Sequence, residues 1–121
     1  MAWDLEVIDL NDALQRVMGH KTMYKSWLVK FFSDETFAPV DKAVAAGNSE
    51  EAHSALHKIK GTASNLSVMK VYRLAEDLEK RLKKGEELNS LIDEIEVLRG
   101  LFQSAKQMHG ENVDYIDSFQ C

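Results

Sequence analysis

Ala52-His53-Ser54-Ala55-Leu56-His57-Lys58-Ile59-Lys60-Gly61-Thr62-Ala63-Ser64-Asn65-Leu66 spaces its apolar residues at steps of three and four. Ala52, Ala55, Leu56, Ile59 and Ala63 then share one face of a helix. The opposite face carries His57, Lys60, Gly61 and Ser64. An imidazole in water, a cation one turn on and a missing side chain beside them suit the acceptance of a phosphoryl group. Gly61 costs a mid-helix position about 0.5–1 kcal/mol relative to Ala, so it invites a reason, and close approach of another protein's backbone is one. Lys60 offers a compact charge to a phosphate on the neighbouring imidazole.

The flanking sequence supplies more helices. Asp9 or Asn11 caps a short one through about Met18, with Leu10, Ala13, Leu14 and Val17 inward and Gly19 as its stop. Lys21 to Phe32 forms a second, with Tyr24, Trp27, Leu28, Phe31 and Phe32 apolar. Val40 and Val44 fall out of phase with that face, and Pro39 belongs in a first helical turn. A break is therefore expected near residues 33–36 and a new helix from about Phe37 to Ala46. Asn48 or Ser49 caps the quoted helix, Glu50 to about Ser64, with Glu50 and Glu51 at its positive end.

Ser67 is expected to cap the next helix, which runs to about Lys84 with Val71, Leu74, Ala75, Leu78 and Leu82 inward. A last helix spans roughly Glu87 to Met108 on Leu88, Leu91, Ile92, Ile95, Leu98, Leu101, Phe102 and Ala105. The opening, Met1 to Ile8, is expected as an extended arm. Residues 110–121 lack helical period and read as a loosely ordered tail on a domain of residues 1–109, although Tyr115, Ile116 and Phe119 could dock. Short connections between long amphipathic helices imply an all-α fold, an antiparallel up-and-down four-helix bundle with an additional short N-terminal helix.

Composition narrows the function classes. The chain has 121 residues, 45% apolar and 29% charged, which suits one soluble globular domain. A net charge of -5 with no compensating basic stripe argues against nucleic acid as the partner. No apolar run approaches the roughly 18–20 residues of a membrane span. No signal peptide is read at its start, and the single cysteine, Cys121, has no intramolecular partner. The expected compartment is the cytoplasm.

The run His57-Lys58-Ile59-Lys60-Gly61-Thr62-Ala63-Ser64-Asn65-Leu66 resembles the signature of histidine-containing phosphotransfer domains, in which an alanine-rich helix carries His-x-x-Lys-Gly before Asn-Leu. Similarity extends to Ala43-Val44-Ala45-Ala46-Gly47-Asn48 and Leu74-Ala75-Glu76-Asp77-Leu78-Glu79, and in element order it covers roughly residues 8 to 106. The family usually has Gly where this chain has Ser67; since Ser also caps helices, a local change without loss of activity is expected.

The resemblance implies a phosphoryl carrier of a two-component phosphorelay, a signal-transduction phosphoprotein rather than an enzyme. His57 would take a phosphoryl group from a receiver-domain aspartate through Nε2 and pass it to another receiver. Lys60 would stabilise the phosphate and Gly61 would give clearance for docking. Ser64, His53, Glu79 and Lys83 are assigned to the site's periphery; for Glu79 and Lys83 the plainer alternative is a solvated i,i+4 ion pair worth about 0.2–0.5 kcal/mol. Partners implied are response-regulator receiver domains and a hybrid sensor histidine kinase. The carrier itself is expected to be a monomer without cofactor or metal, Mg²⁺ belonging to the receiver. The first two helices should supply an apolar dock beside His57.

Two other readings compete. Glu50-x-x-His53 and the His53/His57 pair have metal-site spacing, but the bundle di-iron pattern needs that motif twice plus two further Glu, and neither His20 nor His109 has a Glu three residues before it. A non-phosphorylated helical-bundle interaction module, or a dimerising helical protein, would use Trp3, Trp27 and the aromatic second helix as adhesive and would need an exposed patch there.

Overall fold

A computed structural model describes residues 2–120; Met1 and Cys121, and with the latter the expectation about disulfide pairing, lie outside the described residues. Seven helices are formed among the described residues: α1 (Leu10–Arg16), α2 (Lys21–Phe31), α3 (Ala38–Ala46), α4 (Ser49–Asn65), α5 (Met69–Lys83), α6 (Ile92–Glu111) and α7 (Tyr115–Ser118). They pack as an all-α bundle in which α4 lies between α3 and α5, and α6 packs on α5.

Local chemistry sets the boundaries. The Asp9 side chain caps α1 by accepting from the Asp12 N–H at 3.1 Å. Pro39 sits in the first turn of α3, after a 3-10 turn at Asp34–Thr36, so the break falls where the change of phase placed it. Gly47, at φ +64°, ends α3, and Asn48 caps α4 through Oδ1 to the Glu51 N–H at 3.0 Å. The last long helix begins later than its apolar stripe: Leu88–Leu91 form a 3-10 turn that buries Leu88 and Leu91, and α6 starts at Ile92.

Ser67 departs from expectation. It caps nothing: α5 begins after Val68 with no side-chain cap, and Ser67 has φ +58° and is fully buried. The Val68 N–H donates to Ala63 O at 2.9 Å and the Ser67 N–H to Ser64 O at 3.2 Å, closing α4 with a Schellman turn. That turn needs a left-handed residue, which explains why glycine suits the position. Here Ser67 Oγ donates instead to Asp12 Oδ2 at 2.6 Å, joining the turn to α1. Beside it the N-terminal arm pairs with the same connection, the Asp9 N–H donating to Ser67 O at 3.0 Å and the Met69 N–H to Val7 O at 2.9 Å.

The core is continuous from Ile8 to Ile116, with Phe31, Phe32 and Phe37 gathered around Phe102 at ring separations of 5.4–5.6 Å. Leu74, Ile92 and Leu101, all expected inward, are only half-buried. The Tyr24 hydroxyl, fully buried, donates to Leu66 O at 2.7 Å and so fastens α2 to the end of α4.

The chain's end takes the docking option for Tyr115, Ile116 and Phe119. Ile116 is fully buried, Tyr115 stacks on Trp3 at 5.3 Å, and Lys25 pairs with Asp117 at 2.9 Å. Lys21 Nζ donates to the carbonyls of Asp117 and Phe119. A three-residue apolar set on a single helical turn carries no periodic signal, so the sequence alone does not distinguish it from a tail.

Candidate functional site

The buried residues of α4 are Ala52, Ala55, Leu56, Ile59 and Ala63, so its other flank is presented outward. His57 stands there with 64% of its side chain exposed. Its Nδ1 lies 2.7 Å from Glu79 Oε1 on α5. With a carboxylate as acceptor, Nδ1 carries the proton and Nε2 keeps its lone pair. The ring is thus fixed by one nitrogen while the other is left for chemistry.

Glu79 lies at the centre of this site. It is 8% exposed, and its other oxygen, Oε2, pairs with Lys60 Nζ at 2.9 Å. Burial pushes its carboxyl upward, but the hydrogen bonds from Lys60 and His57 outweigh burial and hold it below the ordinary glutamate range. Lys60 is reciprocally raised by its bond to Glu79, with Glu76 and Tyr72 contributing from the two preceding turns of α5. The Tyr72 hydroxyl donates to Glu76 Oε2 at 2.9 Å, closing the polar ring on that side.

The remaining sequence-nominated residues divide. His53, one turn before His57, stacks on it with rings 6.4 Å apart and 15° from parallel, its Nε2 3.7 Å from Glu79 Oε1. Ser64 follows on the same helix, half-buried and outside the cluster. Lys83 is exposed, and its i,i+4 neighbour Glu79 turns to Lys60 and His57 instead, so the solvated Glu79–Lys83 pair does not form. A Cβ built on Gly61 would meet nothing within 4 Å, so nothing inside this chain requires the glycine.

Glu79 was undervalued by sequence reasoning, although a signal existed. Ala75, Leu78, Glu79 and Leu82 stand at i, i+3, i+4 and i+7, which puts a carboxylate inside an apolar stripe. A charge at such a position needs partners, and α4 supplies them.

Along the other side of α4 runs a groove of about 520 Å³, floored by Phe31, Ile59 and Leu66 and rimmed by Trp27, Lys30, Pro39 and Lys58. Trp27 is 43% exposed. Lys58, the residue after His57, lines this groove. Of the first two helices, from which this dock was expected, α2 lines the groove and α1 does not; Pro39 of α3 takes its place, because α3 rather than α1 packs beside this side of α4. Among the described residues no group of three or more His, Cys, Asp or Glu is arranged to hold a metal ion. No helix among them is long and apolar enough to cross a membrane.

The family model described as the Hpt domain matches residues 29–108, about two thirds of the chain. No curated protein and no solved structure matches it significantly. The matched residues span α3 to α5 and most of α6, including His57, Lys60, Gly61 and Glu79. The chain belongs to the Hpt domain family, the phosphocarrier modules of histidine phosphotransfer in two-component signalling.

Proposed function

We propose that this Hpt domain carries a phosphoryl group on Nε2 of His57, receiving it from one receiver-domain aspartate and passing it to another. The observation that carries this reading is the exposed imidazole whose Nδ1 is tied to Glu79, which leaves Nε2 toward solvent. In the forward step the Nε2 lone pair attacks phosphorus. The P–N bond forms as the P–O bond to the aspartate breaks, and the bonding electrons leave with the carboxylate. The imidazole becomes cationic as it bonds phosphorus, and Glu79 opposite Nδ1–H stabilises that charge where it develops.

Lys60, 25% exposed, is within reach of both Glu79 and the flank on which the phosphoryl group would stand, and it balances the incoming charge. Open space at Gly61 supports close approach of the receiver's backbone. The groove beside Lys58 supports apolar docking by the same partner, with Trp27 and Pro39 on its rim. Mg²⁺ and the acidic cluster belong to the receiver. A hybrid sensor kinase upstream, a monomeric carrier and a cytoplasmic setting complete the proposal.

Incubation with a phosphorylated receiver domain tests it. Wild-type protein is expected to take up acid-labile, alkali-stable label, and His57→Gln none. Equal labelling of both proteins would remove His57 from the mechanism.

A further inference from the structure

His53 is the member of the cluster that phosphoryl transfer leaves without a task. Its Nε2 is buried and has no hydrogen-bond partner, although Glu79 Oε1 lies only 3.7 Å away. The same oxygen already accepts from His57 Nδ1 at 2.7 Å. One third of the His53 side chain is in solvent, so the ring can exchange protons with water. Two imidazoles on successive turns of α4 therefore address one oxygen of one nearly buried carboxylate.

We propose that His53 is a positioning residue that governs Glu79: neutral and carrying its one proton on Nδ1, it leaves the carboxylate to His57, and protonated on both nitrogens, it draws Oε1 to its own Nε2–H and so slows phosphoryl acceptance in acid. The inference rests on the reading of His57 as the acceptor. The 3.7 Å gap is within ion-pair range, and a protonated Nε2–H closing it to the about 2.8 Å of a charge-assisted bond would compete for the oxygen that His57 uses. The oxygen it captures is then shared, and the imidazolium character that His57 must acquire loses part of its counter-charge. A second cation stacked on His57 opposes the same charge directly.

The titratable groups on this flank are His53, His57 and Lys60 from α4, with Glu79 and, beyond Lys60, Glu76 and Tyr72 from α5. Glu50 and Lys83 are exposed and stand outside ion-pair range of His53. α3, also packed on α4, brings no charged group into ion-pair range of His53 or Glu79 among the described residues. Among the described residues, protonation of His53 thus has one anionic partner, and it is the one His57 uses.

The test compares acceptance rates for wild type, His53→Gln and His53→Lys from pH 5.5 to 8, using one phosphorylated receiver so that the donor's own pH dependence cancels in the ratios. The wild-type to His53→Gln ratio is expected near one at pH 8 and lower by about threefold or more at pH 5.5. His53→Lys, permanently charged, is expected to be slow even at pH 8. A ratio that stays flat, or wild-type speed for His53→Lys at pH 8, overturns the proposal. ¹⁵N NMR of the unphosphorylated proteins reads the coupling independently: the hydrogen bond from His57 Nδ1–H to Glu79 should weaken between pH 8 and 5.5 in wild type and less so in His53→Gln, and equal behaviour of the two overturns the proposal too. Failure of all three proteins to take label would instead count against His57 as acceptor, leaving the NMR result to decide on His53.

Discussion

Residue by residue, the site is a division of labour around one carboxylate. Glu79 orients His57, pairs with Lys60 and is faced by His53, so three groups of α4 are read through one group of α5. Removing that carboxylate would leave Lys60 and both imidazoles without their common partner, which is why no member of the cluster acts independently. Gly61 is different, because its value lies outside the chain. Open space around its Cβ position predicts that Gly61→Ala raises folding stability by about 0.5–1 kcal/mol, measured by urea denaturation. Gly61→Gln should also fold, yet slow transfer by obstructing the receiver. A destabilised Gly61→Ala would show that the glycine serves the bundle, and unchanged transfer by Gly61→Gln would show that clearance is not its purpose.

Among the elements, the α4–α5 connection joins more parts than its three residues suggest. Leu66 O receives the buried Tyr24 hydroxyl, Ser67 O receives the Asp9 N–H, and Ser67 Oγ reaches Asp12. α1, α2 and the N-terminal arm are all registered on this turn, and through it on the helix that carries His57. Serine in a left-handed conformation costs roughly 1–2 kcal/mol, offset here by a hydrogen bond to a charged acceptor worth about 1.5–3 kcal/mol. Ser67→Ala keeps the backbone cost and loses the bond, so it should destabilise the fold by about 1.5–3 kcal/mol. Ser67→Gly loses both and should stay within about 1 kcal/mol of wild type. Denaturation midpoints decide; alanine as stable as glycine would mean that the bond to Asp12 contributes nothing.

For the whole molecule, His109 sits where the end of α6 meets the N-terminal arm. It is buried against Phe32 and Trp3, and burial, with Lys25 nearby, lowers its pKa below the ordinary 6.5. A lowered histidine means that the unfolded chain binds a proton which the folded one refuses. Stability from this group is therefore complete above about pH 6.5 and declines as the pH falls toward the lowered folded value. Glu79, Asp12 and Glu76, all held below their ordinary carboxylate values, add losses only at more acidic pH. Urea midpoints at pH 7.5 and 5.5 should differ for wild type and converge for His109→Phe; an undiminished difference in the variant would assign the effect elsewhere.

The division between sequence and tertiary structure follows from the range of each interaction. Helix existence, the break before Pro39, the Asn48 cap and the outward flank of α4 are local matters of period and capping, and residues within a few positions of one another settle them. The family signature at His57, Lys60 and Gly61 lies within one helical turn, so it too was legible. What only tertiary structure decided involves contacts across the chain. Glu79 meets His57 from 22 residues away, Ser67 meets Asp12 from 55, and Lys25 meets Asp117 from 92. No periodicity encodes such pairings, because each depends on how helices rotate against one another once the shared core has closed.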